Sequence, residues 1–275
     1  MTRPQNELLW VAHKARFDRL CEEAMRHDLR IADSGIGTLG EKRLHAIIKR
    51  YLCENVDCHE VGVAGTRFVS DIRVGNDIYE VQTGAFYPMK KKIAHYLNHT
   101  DCTVTVVHPI PAVRWMSWVD PHTMDIAPRK RVSQKGRAID LLPELYSLLE
   151  HLGDARLRFR ILMLEVHDFK LLNGYSRDRK KGAERYERIP LSLLEEIDFE
   201  APADFCRFIP EELPVHFTVK EFSALTKLRG RDAYSAVRAL VALGLFAPAE
   251  PIGRSMGFQK CVKKAKKLHI PLTNA

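Results

Sequence analysis

The sequence predicts an α/β fold in which helices flank a mixed sheet, followed by a smaller C-terminal domain of two helices and a hairpin. Helical and strand-like segments alternate through most of the 275 residues, which is typical of this class. The turn-like run Val-Gly-Asn-Asp at 74–77 joins two strand-like segments into a hairpin, so part of the sheet is antiparallel. From Phe217 onward the pattern changes to short helices and a second hairpin.

The composition is that of a globular protein with room for two domains. Hydrophobic residues make up 45% and charged residues 28%, so we expect neither disorder nor a coiled coil to dominate. No apolar run approaches the ~20 residues of a membrane span, and the N-terminus lacks the apolar core of a signal peptide. Six cysteines without a C-x-x-C pair indicate free thiols in a reducing compartment. We therefore expect a cytoplasmic protein without a membrane partner.

Two helices are predicted at the N-terminal end. Residues 8–29 are rich in Leu, Ala, Glu and Arg, and the glycine-containing run at 32–40 ends this helix. Apolar residues recur at helical spacing in the segment 41–52, at Leu44, Ile47, Ile48, Tyr51 and Leu52. One face of this second helix is therefore expected to be buried. Thr38 and Glu41 have the spacing of a capping box at its start.

Strand-like segments and one helix follow. The strands are predicted at 60–63, 67–73, 78–83, 103–108, 114–119 and 157–166. Pro88 begins a helix that extends to about Leu97 and carries three consecutive lysines, Lys90, Lys91 and Lys92. Residues 174–188 predict a polar, basic loop, and Pro210 and Pro214 bracket a linker.

Asp71 and Glu80 lie on the two strands that the first hairpin brings together. Two carboxylates on one sheet face can hold a hard divalent cation, which acidifies bound water and neutralises charge on an attacked phosphate. Apolar neighbours surround Glu80, and a carboxylate buried there needs a partner. A salt bridge to one of Lys90 to Lys92 is the structural alternative for Glu80, and a turn-flanking role is the alternative for Asp71.

Two further polar residues accompany this pair. Glu41 precedes Leu44 and His45 by one helical turn, and it acts either as the capping residue or as a third acid of the site. Gln82 follows Glu80 by two residues, so both side chains lie on the same face of the strand.

This order of residues resembles the core of the PD-(D/E)XK nuclease superfamily over about residues 38–110. The string GEKRLHAIIKRYL followed by YEVQTG is also similar to an uncharacterised bacterial family with the same helix, strand and E-x-Q-T order. The resemblance implies a restriction-endonuclease-like sheet, with Asp71 and Glu80 as ligands of Mg²⁺ or Mn²⁺ and Glu41 as an accessory acid. It places Gln82 at the position of the superfamily lysine. Either Gln82 positions a water there or a lysine from the nearby helix takes over the role.

The segment after Phe217 predicts a winged helix-turn-helix domain. A helix at 219–227, a second helix at about 232–243 and strand-like runs at 245–247 and 257–262 occur in that order. The N-terminal half of the second helix of such a domain enters the major groove. The residues expected to contact DNA are Arg229, Arg231, Tyr234, Ser235, Arg238 and, at the tip of the hairpin, Arg254.

The positive charge is concentrated in two stretches. The net charge is +8, and the segments 129–137 and 254–267 contain five and six cationic residues without an acid. Clustered cations on an otherwise nearly neutral chain indicate a polyanionic partner, whereas solvated basic loops are the alternative.

These observations predict four segments and one function. The segments are an N-terminal helical extension at 1–37, a nuclease-like domain at 38–172, a basic loop and linker at 173–213, and a winged-helix domain with a basic tail at 214–275. We expect a Mg²⁺- or Mn²⁺-dependent endodeoxyribonuclease that acts on double-stranded rather than single-stranded DNA. The alternative is a catalytically inactive nuclease-fold DNA-binding protein, either a regulator or an assembly factor. The sequence does not distinguish DNA from RNA as the substrate, nor a monomer from a homodimer.

Overall fold

The structure is a computed structural model that describes residues 3–27, 43–63, 67–174 and 182–261. The chain divides into two units, the first comprising 1–85, 91–138 and 156–198 and the second comprising 86–90, 139–155 and 199–275. Glu41, the Thr38 end of the predicted capping box and the basic tail at 262–275 lie outside the described residues. No helix within the described ranges is long and apolar enough to cross a membrane.

In the described part of unit 1, seven strands form a mixed sheet. The strands are β1 (His59–Gly62), β2 (Val69–Val74), β3 (Asp77–Val81), β4 (Thr103–Val119), β5 (Lys130–Arg131), β6 (Leu157–Leu171) and β7 (Glu184–Phe199). Their order is β1-β2-β3-β4-β6-β7, and β5 pairs with β4. The first three strands are antiparallel, whereas β4 runs parallel to both β3 and β6. The predicted hairpin at 74–77 is confirmed, since Val74 pairs with Asp77.

Helices cover both faces of this sheet, as the α/β prediction requires. On one face lie α1 (Arg3–His27) and α2 (Arg43–Leu52), whose apolar residues Phe17, Cys21, Leu44, Ile47, Ile48 and Tyr51 form a core with strand residues such as Val81 and Leu164. The other face carries α3 (Lys90–His99), because Tyr96 of α3 bonds to Glu80 and adjacent residues of a strand point to opposite faces. The helical spacing predicted for α2 is therefore buried as expected.

β4 is a single strand from Thr103 to Val119, where the sequence predicted two. Pro109 and Pro111 interrupt the strand signal because proline cannot donate a ladder hydrogen bond. The partner strand β3 ends at Val81, opposite Val107. Pro109 and Pro111 lie beyond Val107, where β3 no longer offers a hydrogen-bond acceptor on that side. A proline there costs no hydrogen bond to β3, and β4 continues as a strand beside β6.

The predicted basic loop and linker is wrong for residues 184–199, which form β7. Charged residues hide this strand in the sequence, but they have partners in the structure. Arg188 of β7 binds Asp168 of β6 through two hydrogen bonds, and Asp198 binds Arg160 in the same way. The charged side chains of this segment therefore form ion pairs across neighbouring strands and do not indicate a solvated loop.

Unit 2 contains a three-stranded antiparallel sheet and the two predicted C-terminal helices, among other elements. The helices are α4 (Leu141–Leu145), α5 (Val219–Thr226) and α6 (Gly230–Ala242), and the strands are β8 (His216–Thr218), β9 (Phe246–Ile252) and β10 (Ser255–Lys260). The sheet order is β8-β10-β9. Thr218 and Glu221 form the reciprocal capping box that the sequence predicted for α5.

An aromatic core holds this unit together. Phe217, Phe222, Phe246 and Phe258 are fully buried against one another. The short helix α4 packs on α6 although the two are far apart in sequence. Residues 139–155 thus group with the C-terminal elements rather than with the segment 38–172, in which the sequence placed them.

Candidate active site

Asp71 lies where β2 separates from β3. The last ladder pair of this hairpin is Ile72 with Tyr79. Beyond it, the N–H of Val81 donates to Asp71 Oδ2 over 2.7 Å, so the side chain replaces a backbone acceptor. His45 of α2 donates to the same oxygen from Nε2 over 3.2 Å. Burial opposes ionisation of Asp71, but the interactions with His45 and Val81 outweigh it and hold the pKa of Asp71 below its usual value.

Glu80 is only 4% exposed, on the face of β3 that carries α3. Lys92 Nζ donates to Oε2 over 2.6 Å, and Tyr96 Oη donates to Oε1 over 3.1 Å. Burial, together with the negative charge of Asp71, raises the pKa of Glu80 to about 7 in spite of the nearby ammonium group. The structure therefore brings Asp71 and Glu80 close enough for the charge of one to alter the protonation of the other.

Among the three lysines of α3, Lys92 is the one that reaches the acids. Lys91 is exposed to solvent, and Lys90 pairs with Glu150 over 3.2 Å. The salt bridge that the sequence offered as an alternative for Glu80 is thus present, and it coexists with the approach of Asp71. Lys92 itself is only partly buried, so the cluster reaches solvent on this side.

Gln82 is hydrogen-bonded within its own loop. Its side-chain Nε2 donates to the carbonyl of Ala85 over 2.6 Å, and its own carbonyl accepts a hydrogen bond from His108 Nδ1 over 2.6 Å. These contacts hold the loop that follows β3. The amide donor of Gln82 is thus engaged within the loop, and Lys92 is the side chain that donates to Glu80.

Sequence reasoning missed His45 and Tyr96 as partners of the two acids. A signal was present for Tyr96, because it follows Lys92 by four residues and side chains at that spacing share one helix face. A helix that directs Lys92 at Glu80 directs Tyr96 there too. No comparable signal identified His45, since its contact with Asp71 depends on the packing of α2 beside β2.

Two carboxylates of this kind have the donor chemistry for a hard divalent cation. The hydrogen bonds to Asp71 from described residues both end on Oδ2 and leave Oδ1 for a ligand. At Glu80, an ion would have to displace the ammonium of Lys92 from Oε2. No group of three or more His, Cys, Asp or Glu side chains in the described ranges has metal-site geometry. An ion held here would therefore have Asp71 and Glu80 as its carboxylate ligands, and water and backbone oxygens would have to complete its coordination.

The residues predicted to contact DNA fall on α6 and on the turn between β9 and β10. Those with exposed side chains are Arg229, Arg231, Tyr234 and Arg254, whereas Arg238 is partly buried. Ser235 is 5% exposed and lies among the core residues of α6. The prediction that Ser235 contacts DNA is therefore wrong, because a side chain on the packed face of a helix does not reach a ligand at the exposed face.

The raised pKa of Glu80 makes a prediction about stability without metal. Folding raises this pKa from 4.5 to about 7, so the folded chain holds the proton more tightly than the unfolded chain. The contribution of Glu80 is most favourable below about pH 4.5 and declines as the pH rises toward 7, by at most ~3 kcal/mol. We expect Glu80→Gln to remove this decline in urea unfolding experiments in EDTA at several pH values.

The matched control is Glu54→Gln, because Glu54 is largely exposed. This variant is expected to keep the pH dependence of the unaltered chain. If Glu80→Gln and Glu54→Gln follow the same curve, the carboxyl of Glu80 is not the group whose protonation is coupled to folding.

Comparison with known protein families gives one match. A family model described as a domain of unknown function, DUF8091, matches residues 42–200, a range that includes Asp71, Glu80 and Lys92. Neither curated proteins nor solved structures give a significant match to this chain. Because the matched range exceeds half of the 275 residues, the chain belongs to the DUF8091 family.

Proposed function

We propose that unit 1 is a divalent-cation-dependent hydrolase of nucleic-acid phosphodiester bonds, with double-stranded DNA as the substrate. The observation that carries this proposal is the meeting of Asp71, Glu80 and Lys92 where β2 separates from β3. Two acids and one cation at the end of a hairpin are costly to assemble for structural purposes alone. A site that binds a cation and an anionic substrate uses all three.

Asp71 and Glu80 would hold the ion, Mg²⁺ or Mn²⁺. When bound, such an ion lowers the pKa of water and neutralises charge on a phosphate. Lys92 pairs with Glu80, and it would be released from this pair if Glu80 held a metal ion. Its ammonium group would then orient the attacking water or the phosphate, a role that the uncharged Gln82 cannot fill through charge.

Three further side chains position these groups. His45 fixes the rotamer of Asp71 from α2, and Tyr96 holds the second oxygen of Glu80 from α3. Gln82 fixes the loop after β3 through Ala85. Each acts through another residue, so replacing it should weaken catalysis less than replacing an acid.

Unit 2 is proposed to be a winged-helix module that contacts DNA. Support comes from the order β8, α5, α6, β9 and β10 and from the three-stranded sheet that the strands form. Arg229, Arg231 and Tyr234 are exposed at the N-terminal half of α6, and Arg254 is exposed in the turn of the hairpin. Such side chains provide charge for phosphates and donors for base edges.

A second candidate is a nucleic-acid-binding protein that does not cleave. The observation in its favour is that both oxygens of Glu80 already have partners, Lys92 and Tyr96. If the ammonium never leaves Oε2, Glu80 is a structural residue. Calorimetry with Mn²⁺ separates the candidates: heat that disappears in Asp71→Asn supports the hydrolase, and DNA binding without any Mn²⁺ heat supports the binder.

The hydrolase proposal predicts the effect of three substitutions on plasmid nicking in Mg²⁺ or Mn²⁺. Asp71→Ala and Glu80→Ala should each reduce the rate by about 100-fold or more, because each removes a proposed ligand of the ion. Lys92→Ala should reduce it by about 10- to 100-fold, since it removes one charged contact. The rate is measured as loss of supercoiled plasmid under single-turnover conditions.

Lys91→Ala is the matched control, because Lys91 is the exposed neighbour of Lys92 on the same helix. It should cleave like the unaltered chain. Circular dichroism of each variant excludes unfolding as the cause of lost activity. Cleavage that persists in Asp71→Ala and Glu80→Ala would show that the nuclease site is elsewhere or belongs to a contaminant.

The winged-helix proposal predicts a loss of affinity from Arg231→Gln. Removal of one phosphate contact weakens DNA binding by about tenfold at 0.1 M salt and lowers the salt slope by about one. Fluorescence anisotropy with a labelled duplex measures both quantities. Arg207→Gln is the control, because Arg207 is an exposed arginine of unit 2 outside the β8–β10 segment. Equal affinities for the two variants would remove α6 from the DNA interface.

A further inference from the structure

We propose that Arg185, together with Arg114 and Arg188, forms a binding site for the phosphate backbone of a nucleic acid on unit 1. The three arginines surround a single carboxylate, Asp168 of β6, and lie on β4 and β7. This site is separate from Asp71 and Glu80 and from the exposed arginines of α6. It rests on the proposed function only in the choice of a nucleic acid as the ligand.

The central pairing is geometrically well defined. Asp168 is 1% exposed, and Arg188 binds it with two hydrogen bonds, from Nε to Oδ1 over 2.5 Å and from Nη2 to Oδ2 over 2.8 Å. Arg114 donates to Oδ2 alone, from Nη2 over 2.9 Å and from Nε over 3.3 Å. The bidentate pair of Arg188 with both oxygens fixes the plane of that guanidinium group.

The charges of the cluster do not balance. One carboxylate neutralises one guanidinium, so three arginines around Asp168 leave an excess of two positive charges. Arg185 forms no ion pair within the described residues, and partial desolvation together with repulsion by Arg188 lowers its pKa, although the residue as a whole is exposed. A network that served only the fold would gain from a second acid here. An incoming anion supplies the missing negative charge.

Glu187 offsets this excess only in part, because its charge acts on Arg185 but is shared with Arg43. Glu187 accepts a hydrogen bond from the backbone N–H of Arg188, and its other oxygen lies 3.9 Å from Arg43 Nε. A shallow groove passes beside these groups, lined by Leu44, Thr83, Arg185, Tyr186, Glu187 and Arg188. Arg185 is exposed on this groove, so a phosphate can reach it from solvent without rearrangement of the strands.

More cations lie near the same strands, which favours a long polyanion over a single small one. On the face that carries Arg114 and Asp168, Lys170 lies over the ring of Trp118 at 5.7 Å. Arg129, over the ring of Trp115 at 4.6 Å, lies on the opposite face and is not part of this row. Lys130 and Arg131 of β5 are exposed beside β4. A backbone with a negative charge at every phosphate matches a row of cations better than an isolated anion does.

The test measures binding of the full chain to a fluorescent duplex of about two helical turns, in EDTA so that no cleavage occurs. Arg185→Gln should lower the affinity by about tenfold at 0.1 M salt and reduce the salt slope by about one. Arg185→Glu should lower the affinity further. Arg19→Gln, at an exposed position of α1, is the matched control and should bind like the unaltered chain. Arg185 is exposed, so these variants are expected to fold.

The outcomes separate this inference from the hydrolase proposal. Weaker binding by Arg185→Gln supports the inference whether or not the chain cleaves DNA in the separate nicking assay. Equal affinities for Arg185→Gln and Arg19→Gln overturn it, as does an unaltered chain that fails to bind the duplex. Saturable binding of inorganic phosphate without binding of the duplex also overturns it and identifies a small-anion site.

Discussion

A carboxylate that is almost fully buried in a sheet strand, such as Glu80, must find partners within the protein. Here α3 supplies both, and Lys92 and Tyr96 lie one helical turn apart on the face that meets β3. The packing of α3 on the sheet thus also supplies the hydrogen-bond partners that the carboxylate of Glu80 needs. Asp71 adds a second negative charge and raises the cost of ionising Glu80. A cation relieves that cost, and in the free chain Lys92 is the cation.

Local patterns in the sequence were sufficient for the elements that carry the acids. The apolar residues of α2 are buried and the turn at 74–77 forms a hairpin, as the sequence predicted. The turn sets the register that brings Asp71 toward Glu80. The choice among three lysines depended on the exact rotation of α3 about its axis. Sequence spacing alone does not fix that rotation, because Lys90, Lys91 and Lys92 project 100° apart.

Elements whose stability depends on distant partners escaped prediction. β4 contains two prolines that are harmless only because β3 ends at Val81, which is visible once the ladder is known. β7 looks like a basic loop until Arg188 is placed beside Asp168. The grouping of 139–155 with the C-terminal elements depends on the packing of α4 against α6. In each case the decisive contact joins residues far apart in the sequence, where periodicity carries no signal.

The long strands also relate the two proposed sites of unit 1. Glu80 pairs with Val106 of β4, and Arg114 follows Val106 by eight residues on the same strand, across a bulge between Pro111 and Val113. At about 3.3 Å per residue these two levels are roughly 26 Å apart. Arg185 of the same cluster, however, lines a groove with Leu44 and Thr83, which are the sequence neighbours of His45 and Gln82. The arginine cluster therefore extends from the level of Arg114 toward the loop after β3, and a nucleic acid bound along it would run toward the acids.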